Sequence, residues 1–428
     1  MDVLEKCRSW TTEHLRDTGS DCYYRAITDT FGGTEVDFQG QRVIMAASHD
    51  YLGLSADPRV REAAVTAVKR FGTSLGGSRA VSGSLDLHEE LENRLAGFLG
   101  QEAAAVLPSG YQANLMLAPL LTKDRYVFSD LSNHASLDEV IRLGDAEERK
   151  FLHGDMSHLE ELLASAAETA GKLVLTDGIF SVDGDVCKLP DLMKLADRYG
   201  AHVVVDSSHD LGVLGPNGAG AADHFGLQPL LITSALSKSL ASVGGVIAGP
   251  ADVIHYLRHH ARTSLFTAAA SPANVAAALA ALDILQTEPE HGARVLDLAE
   301  QLHNGLRALG YDTGASVTPV VPVLARGRER CLRMWRELLH AGVFTAPMTY
   351  PGVRTGREVL RITLTAAHTD QQLAGVLAAF EEVGRKEGLI PQTPQGVHTP
   401  VRVVRPEGIP TAATAASTGQ GVTSGSPR

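Results

Sequence analysis

No CxxC pair occurs in this chain of 428 residues; its four cysteines, Cys7, Cys22, Cys187 and Cys331, are scattered. That spacing excludes a disulfide framework and a structural zinc site, and fits four thiols in a reducing compartment. No run approaches eighteen consecutive apolar residues, so no transmembrane helix is expected. MDVLEKCRSWTTEH has no apolar stretch of the kind a secretory signal needs. Basic charge is in deficit: Lys+Arg 38 against Asp+Glu 50 gives a net charge of −12. This argues against nucleic acid or an anionic membrane as the main partner. Together these absences predict a cytoplasmic protein. What is present is ordinary for a globular chain, with 44% apolar and 21% charged residues, and the length allows two or three domains with a large core.

Residues 1–55 read as an N-terminal arm with short strands, VIMAA among them. An amphipathic pattern runs from Pro58 to Phe71, and another over SLDLHEELENRLAGFLG, with Ser84 as its expected N-cap and Gly100 as its stop. A strand–helix rhythm follows. AAAVL (103–107), YVFSD (126–130), KLVLTD (172–177), HVVVD (202–206), LLITS (230–234) and GGVIAG (244–249) are short apolar runs, most of them separated by helical patterns. Continuous apolar strands alternating with helices predict an α/β fold with a mostly parallel sheet, buried on both faces. Such sheets bind ligands at the carboxyl ends of their strands, where Asp130, Asp177 and Asp206 fall. The large domain is expected over 56–288. Two long helices over 271–310, a strand in VTPVVPVLA, a helix over 327–341, a strand in VLRITLTAAH and a helix near 369–387 suggest a smaller α+β domain over 289–387. Residues 388–428, rich in Pro, Thr, Gly, Ser and Ala, read as a disordered tail.

Four places could carry chemistry. Lys238 follows a strand in a segment, LITSALSKSLASVGG, with no other charge nearby; most lysines are solvated, but this setting favours partial burial and nucleophilic character. Asp206 ends a buried strand, where a carboxylate needs a partner: a helix cap or ion pair, or the ring nitrogen of a pyridine. PSGYQAN opens a helix with a Ser-Gly pair whose free N–H groups suit an anion. His134 in SNHAS is flat enough to stack on an aromatic ring, although a lone histidine is more often structural. Each is ambiguous alone. Together they supply what pyridoxal phosphate requires: a lysine to carry it, an acid to pair its ring nitrogen, a stacking group and a phosphate site.

The chain resembles the α-oxoamine synthases, pyridoxal-phosphate enzymes of fold type I that include 8-amino-7-oxononanoate synthase, 2-amino-3-ketobutyrate ligase, 5-aminolevulinate synthase and serine palmitoyltransferase. The resemblance extends from about Phe38 to about Phe380. It is carried by SHDYLGLSADPRV, GTSLGGSRAVSGSLDLHEELENRLAGFLG, LPSGYQAN, SNHAS, FLHGDMSHLEELL, DGIFSVDGD, VVVDSSHDLGVLGPNGAG, ALSKSLASVGG and LRITLTAAHT. It implies that Lys238 carries the cofactor, Asp206 pairs with its ring nitrogen, and His209, helped by Ser181, bonds its ring hydroxyl. It assigns His134 to stacking and proton transfer, Ser109, Gly110 and Tyr111 to the phosphate, and Arg361 to the amino acid's carboxylate. The implied reaction is a decarboxylative condensation of a small amino acid with an acyl thioester, giving a 2-amino ketone. A homodimer is also implied, with Thr267 as the neighbouring subunit's phosphate contact. No metal is expected.

The departures are specific. His49 stands where members usually have the asparagine that helps Arg361 grip the carboxylate. Asp206-Ser207-Ser208-His209 replaces the usual Asp-Glu-Ala-His or Asp-Asp-Ala-His, so a carboxylate beside the cofactor acid is missing. Ala235 replaces a phosphate-binding threonine, with Thr233 and Ser234 as the nearest substitutes. APMTYPG lacks the basic residue useful for coenzyme A, which admits carrier-protein thioesters beside acyl-CoA. These changes leave open a divergent enzyme of the same fold doing lyase, decarboxylase or other carbon–carbon chemistry. Retention of Lys238, Asp206 and His134 argues against a non-catalytic subunit.

Overall fold

The computed structural model describes residues 2–10, 23–350, 352–390 and 400–405. The chain divides into two compact units. One comprises Met1–Pro58, Phe180–Val186 and Leu298–Arg402; the other comprises Arg59–Ile179, Cys187–Asp297 and Val403–Arg428. The arm expected over 1–55 and most of the small domain expected over 289–387 thus share a unit. The strand Gln41–Met45 pairs in parallel with Val343–Phe344, which joins them.

The larger unit holds a seven-stranded sheet, in spatial order Ala103–Leu107, Gly245–Gly249, Leu231–Ala235, Ala201–Asp206, Gly171–Asp177, Arg125–Asp130 and Glu147–Phe151. Only Gly245–Gly249 runs antiparallel to its neighbours; the other pairs are parallel. Val203, Val204 and Val205 are all buried, as a strand covered on both faces requires. Burying each such side chain contributes about 1.5–3 kcal/mol. The strands pack against Leu137, Val140 and Ile141 on one helix and Ile254 and Leu257 on another.

Register sets the site. Asp177 lies opposite Asp206, and Asp206 opposite Thr233. Asp177 and Asp206 therefore end their strands level with each other, with Thr233 alongside.

The sequence did not announce Glu147–Phe151, because EERKF is mostly charged. It is an edge strand, where charges blunt unwanted pairing. The helix expected from Ser84 begins at Asp86, with Leu85 at its N-cap. The Ser84 hydroxyl is spent on Arg79, accepting from Nε at 2.9 Å and donating to the backbone oxygen at 3.0 Å. The Leu85 N–H is bonded instead by His88 Nδ1 at 3.2 Å.

The smaller unit has a four-stranded sheet of Asp29–Phe31, Glu35–Phe38, Gln41–Met45 and Val343–Phe344, and a three-stranded antiparallel sheet of Val321–Leu324, Val359–Ile362 and Ala346–Met348. Its core gathers Trp335 and Leu338 from the helix Arg328–His340 with Val376 and Phe380 from Asp370–Lys386. Of the tail expected over 388–428, residues 391–399 and 406–428 lie outside the described residues. Residues 400–405 correct that expectation. Val401 and Val403 are buried, the Val401 N–H donates to Asn304 Oδ1 at 2.7 Å, and Arg405 pairs with Asp297 at 2.8 Å. Alternating apolar residues in VRVVR give the segment a face to bury.

Candidate active site

A cavity of about 340 Å³, counting space open to solvent, lies within the larger unit. Gly110, Tyr111, His134, Asp206, His209 and Lys238, all expected from the sequence, line it together. Asn114, Ser136, Asp177, Ile179, Ser208 and Ala235 complete the wall.

Local chain geometry aims these groups. Lys238 is half-buried in a tight turn beyond Leu231–Ala235, closed by Ala241 N–H to Lys238 O at 2.9 Å and Ser242 N–H to Leu236 O at 3.1 Å. Ala241 holds φ +50° there. That left-handed conformation costs a residue with a Cβ about 1–2 kcal/mol and is met at functional turns. Gly110 abuts the end of the strand Leu231–Ala235: a Cβ on it would meet Ala235 Cβ at 2.5 Å. A Cβ on Gly245 would meet Ser109 O at 2.3 Å. Both glycines are required for this close approach of backbone to backbone.

Two carboxylates end adjacent strands. Asp206 Oδ2 accepts from Asn114 Nδ2 at 2.6 Å and Oδ1 from Ser208 N–H at 3.0 Å. Asp177 Oδ2 accepts from His134 N–H at 3.1 Å, while its buried Oδ1 has no hydrogen-bond partner. Burial, and then the neighbouring charge of Asp206, push the Asp177 pKa well above the usual carboxylate range.

Ser109 and Thr267 do not line the cavity. Ser109 caps the helix Gly110–Leu115, its hydroxyl accepting from Gln112 N–H at 3.2 Å, and Gln112 Nε2 donates to Thr267 Oγ1 at 3.2 Å. His49, Ser181 and Arg361 belong to the other unit. There Arg361 Nη1 donates to Ser181 O at 2.8 Å, burial lowers the Arg361 pKa, and the His49 ring lies 6.2 Å from that of the buried Tyr51.

The hydroxyls expected to stand in for the one missing at Ala235 are committed elsewhere. Thr233 Oγ1 donates to Asn114 Oδ1 at 2.6 Å, and Ser234 Oγ donates to Ser207 O at 3.1 Å. The hydroxyl beside Ala235 is that of Ser208, which accepts the Ala235 N–H at 2.8 Å. A carboxylate also stands near the missing one at 207. Ser207 Oγ donates to Asp210 Oδ2 at 3.1 Å, and Asp210 also accepts the Ala221 N–H at 2.6 Å. Burial pushes the Asp210 pKa up to about 7. Sequence reasoning passed over Asn114, Ser208 and Asp210. The only signal for Asn114 was an amide at the head of the apolar run NLMLAPLL.

The donor set fits pyridoxal phosphate. An amine, a buried carboxylate pair, two imidazoles and the Gly110 helix start share one cavity. Asp177 Oδ1, buried and unsatisfied at the cavity wall, marks a polar wall awaiting a donor. Among the described residues no cluster of three or more His, Cys, Asp or Glu could hold a metal ion.

Comparison with known proteins agrees. The family model for aminotransferase class I and II matches residues 42–380. A serine palmitoyltransferase of Sphingobacterium spiritivorum is 41% identical over 364 residues, covering 84% of this chain and 91% of that protein. An 8-amino-7-oxononanoate synthase of Thermosipho melanesiensis is 38% identical over 381 residues, covering 88% and 97%. Among solved structures, a serine palmitoyltransferase from S. paucimobilis, with pyridoxal phosphate bound as its myriocin aldimine, matches with a TM-score of 0.89 and 32% identity over 91% of this chain and all of that one. The fold is thus that of the fold type I, aminotransferase-like enzymes, as the seven-stranded, mostly parallel sheet requires. The chain belongs to the aminotransferase class I and II family and, within it, to the α-oxoamine synthases.

Proposed function

We propose that the protein is a pyridoxal-phosphate-dependent C-acyltransferase. It joins a small amino acid to an acyl thioester and releases the thiol and carbon dioxide to leave a 2-amino ketone. The observation that carries this reading is the convergence of Lys238, Asp206, His209 and His134 on one cavity of a chain whose relatives are named for this chemistry.

In this reading Lys238 would hold the cofactor's carbonyl carbon and Asp206 its ring nitrogen. His209 with Ser181 would hold its ring hydroxyl, and His134 its ring face. Ser109, Gly110 and Tyr111 would hold its phosphate. When bound, pyridoxal phosphate supplies an electron sink for negative charge on the amino acid's α-carbon. Lys238 Nζ takes the α-proton as general base. Arg361 grips the substrate carboxylate with a charged, planar donor fork, and His49 shapes that grip where an asparagine is usual. In a homodimer, Thr267 would reach the neighbouring subunit's phosphate site. Among the described residues no helix is long and apolar enough to cross a membrane, and the acidic, cysteine-poor composition supports a cytoplasmic location.

The test is dependence on both substrates. Purified holoenzyme is given single amino acids, L-serine first because of the relatives' name, with and without palmitoyl-CoA or a carrier-protein thioester. Free thiol and carbon dioxide are expected only when both are present. Product from an amino acid alone would overturn the condensation and favour the lyase or decarboxylase alternative.

A further inference from the structure

One buried amide joins two walls of the cavity. Asn114, only 2% exposed, lies on the helix Gly110–Leu115. Its Nδ2 donates both hydrogens, one to Asp206 Oδ2 at 2.6 Å and one to Ser136 Oγ at 2.8 Å. Its Oδ1 accepts from Thr233 Oγ1 at 2.6 Å. The amide has one workable orientation: flipped, its oxygen would face the Asp206 carboxylate, acceptor against acceptor.

That orientation sets the next link. Ser136 Oγ receives a hydrogen from Asn114 and keeps its own to give to His134 Nδ1, 2.7 Å away. The Ser136 N–H points at the same nitrogen at 3.3 Å. His134 Nδ1 is therefore an acceptor on two counts, and the ring hydrogen belongs on Nε2. Ser136 is fully buried, so water does not compete for these bonds.

We propose that Asn114 is a positioning residue that couples Asp206 to His134, fixing the carboxylate's orientation and the imidazole's tautomer through a single amide. This rests on the function proposed above and adds a residue to it. Asp206 faces the cavity in one rotamer, and His134 presents a protonated Nε2, because the same group holds both.

The test uses Asn114→Leu, Ser136→Ala and Thr233→Val. Two readings are taken: affinity of the apoprotein for pyridoxal phosphate, and the protonation of the two His134 ring nitrogens by NMR on nitrogen-labelled histidine in the apoprotein. Asn114→Leu removes a hydrogen bond to a charged group and is expected to weaken cofactor binding on the order of tenfold. It also lets the His134 tautomers mix. Ser136→Ala is expected to release the tautomer while leaving cofactor affinity within about twofold, a split that general structural damage would not produce. A folded Asn114→Leu protein with native affinity and a native tautomer overturns the proposal. Should that variant not fold, Thr233→Val, which strips Asn114 Oδ1 of its donor and loosens the amide's hold on Asp206, must weaken cofactor binding several-fold, and native affinity there overturns the proposal too. Failure of the unaltered apoprotein to bind pyridoxal phosphate would overturn the proposed function instead, since the tautomer is read without cofactor.

Discussion

Asp210→Asn should change how stability depends on pH. The Asp210 carboxyl is fully buried between Ser207 Oγ at 3.1 Å and the Ala221 N–H at 2.6 Å, and its Oδ1 has no hydrogen-bond partner. Burial raises its pKa from 3.8 to about 7. Between those values the native chain keeps a proton that the unfolded chain has lost, so unfolding becomes easier as pH rises through the window and levels off above it. At about 1.4 kcal/mol per unit of pKa, the loss from pH 4 to pH 8 is on the order of 4 kcal/mol. Asparagine cannot titrate. Its amide keeps an acceptor for Ser207 and Ala221 but places an N–H where Oδ1 has no partner, a pH-independent cost of about 1–3 kcal/mol. The variant should therefore be less stable than the unaltered protein near pH 4 and equal or more stable near pH 8. Urea unfolding of both apoproteins across that range is the assay. Asp177, also raised in pKa, is common to both and cancels in the difference. Parallel curves would refute the reasoning.

Gly245→Ala should destabilise by about 1–3 kcal/mol and weaken cofactor binding, because the new Cβ would sit 2.3 Å from Ser109 O and 2.7 Å from Gly110 Cα; thermal unfolding and a pyridoxal phosphate titration read the two effects. Ser207→Asp alone should press two buried carboxylates together, and Asp210→Ser alone should strip the Ala221 N–H of its acceptor. The double exchange should recover stability, with a coupling of about 1–3 kcal/mol in a double-mutant cycle; additive losses would mean that the two positions do not share one hydrogen-bonded pair.

The sheet was legible because its physics is local. Five of the six apolar runs begin or end within a residue of the strands they became, and AAAVL matched outright. What escaped was set by context. EERKF forms a strand only because a neighbour offers a free edge. Ser84 lost its cap to Arg79, an interaction that depends on how the loop before the helix folds. Within the site, residues with distinctive chemistry stood out: an isolated lysine, a carboxylate closing a valine run, a histidine between small residues. Asn114 did not, since nothing about an amide in PSGYQAN announces that Asp206, 92 positions later, will accept from it. His49, Ser181 and Arg361 were readable only through resemblance.

The motif departures are better understood as exchanges than as losses. Position by position, Ser207 lacks a carboxylate, Ala235 lacks a hydroxyl, and Ser208 has a hydroxyl where alanine is usual. In the folded turn these differences offset one another. Asp210 brings a carboxylate back to Ser207 from three residues along the chain, and Gly178 and Gly220 leave it room, since a Cβ on either would meet its Oδ2 at 2.2 Å or 3.0 Å. Ser208 brings a hydroxyl to the backbone of Ala235. A turn returns residues three apart to the same neighbourhood, so a group lost at one position can be regained from another without moving the strand ends. Asp206 and His209 therefore share the cavity wall with a turn whose hydrogen bonds are supplied by Asp210 and Ser208.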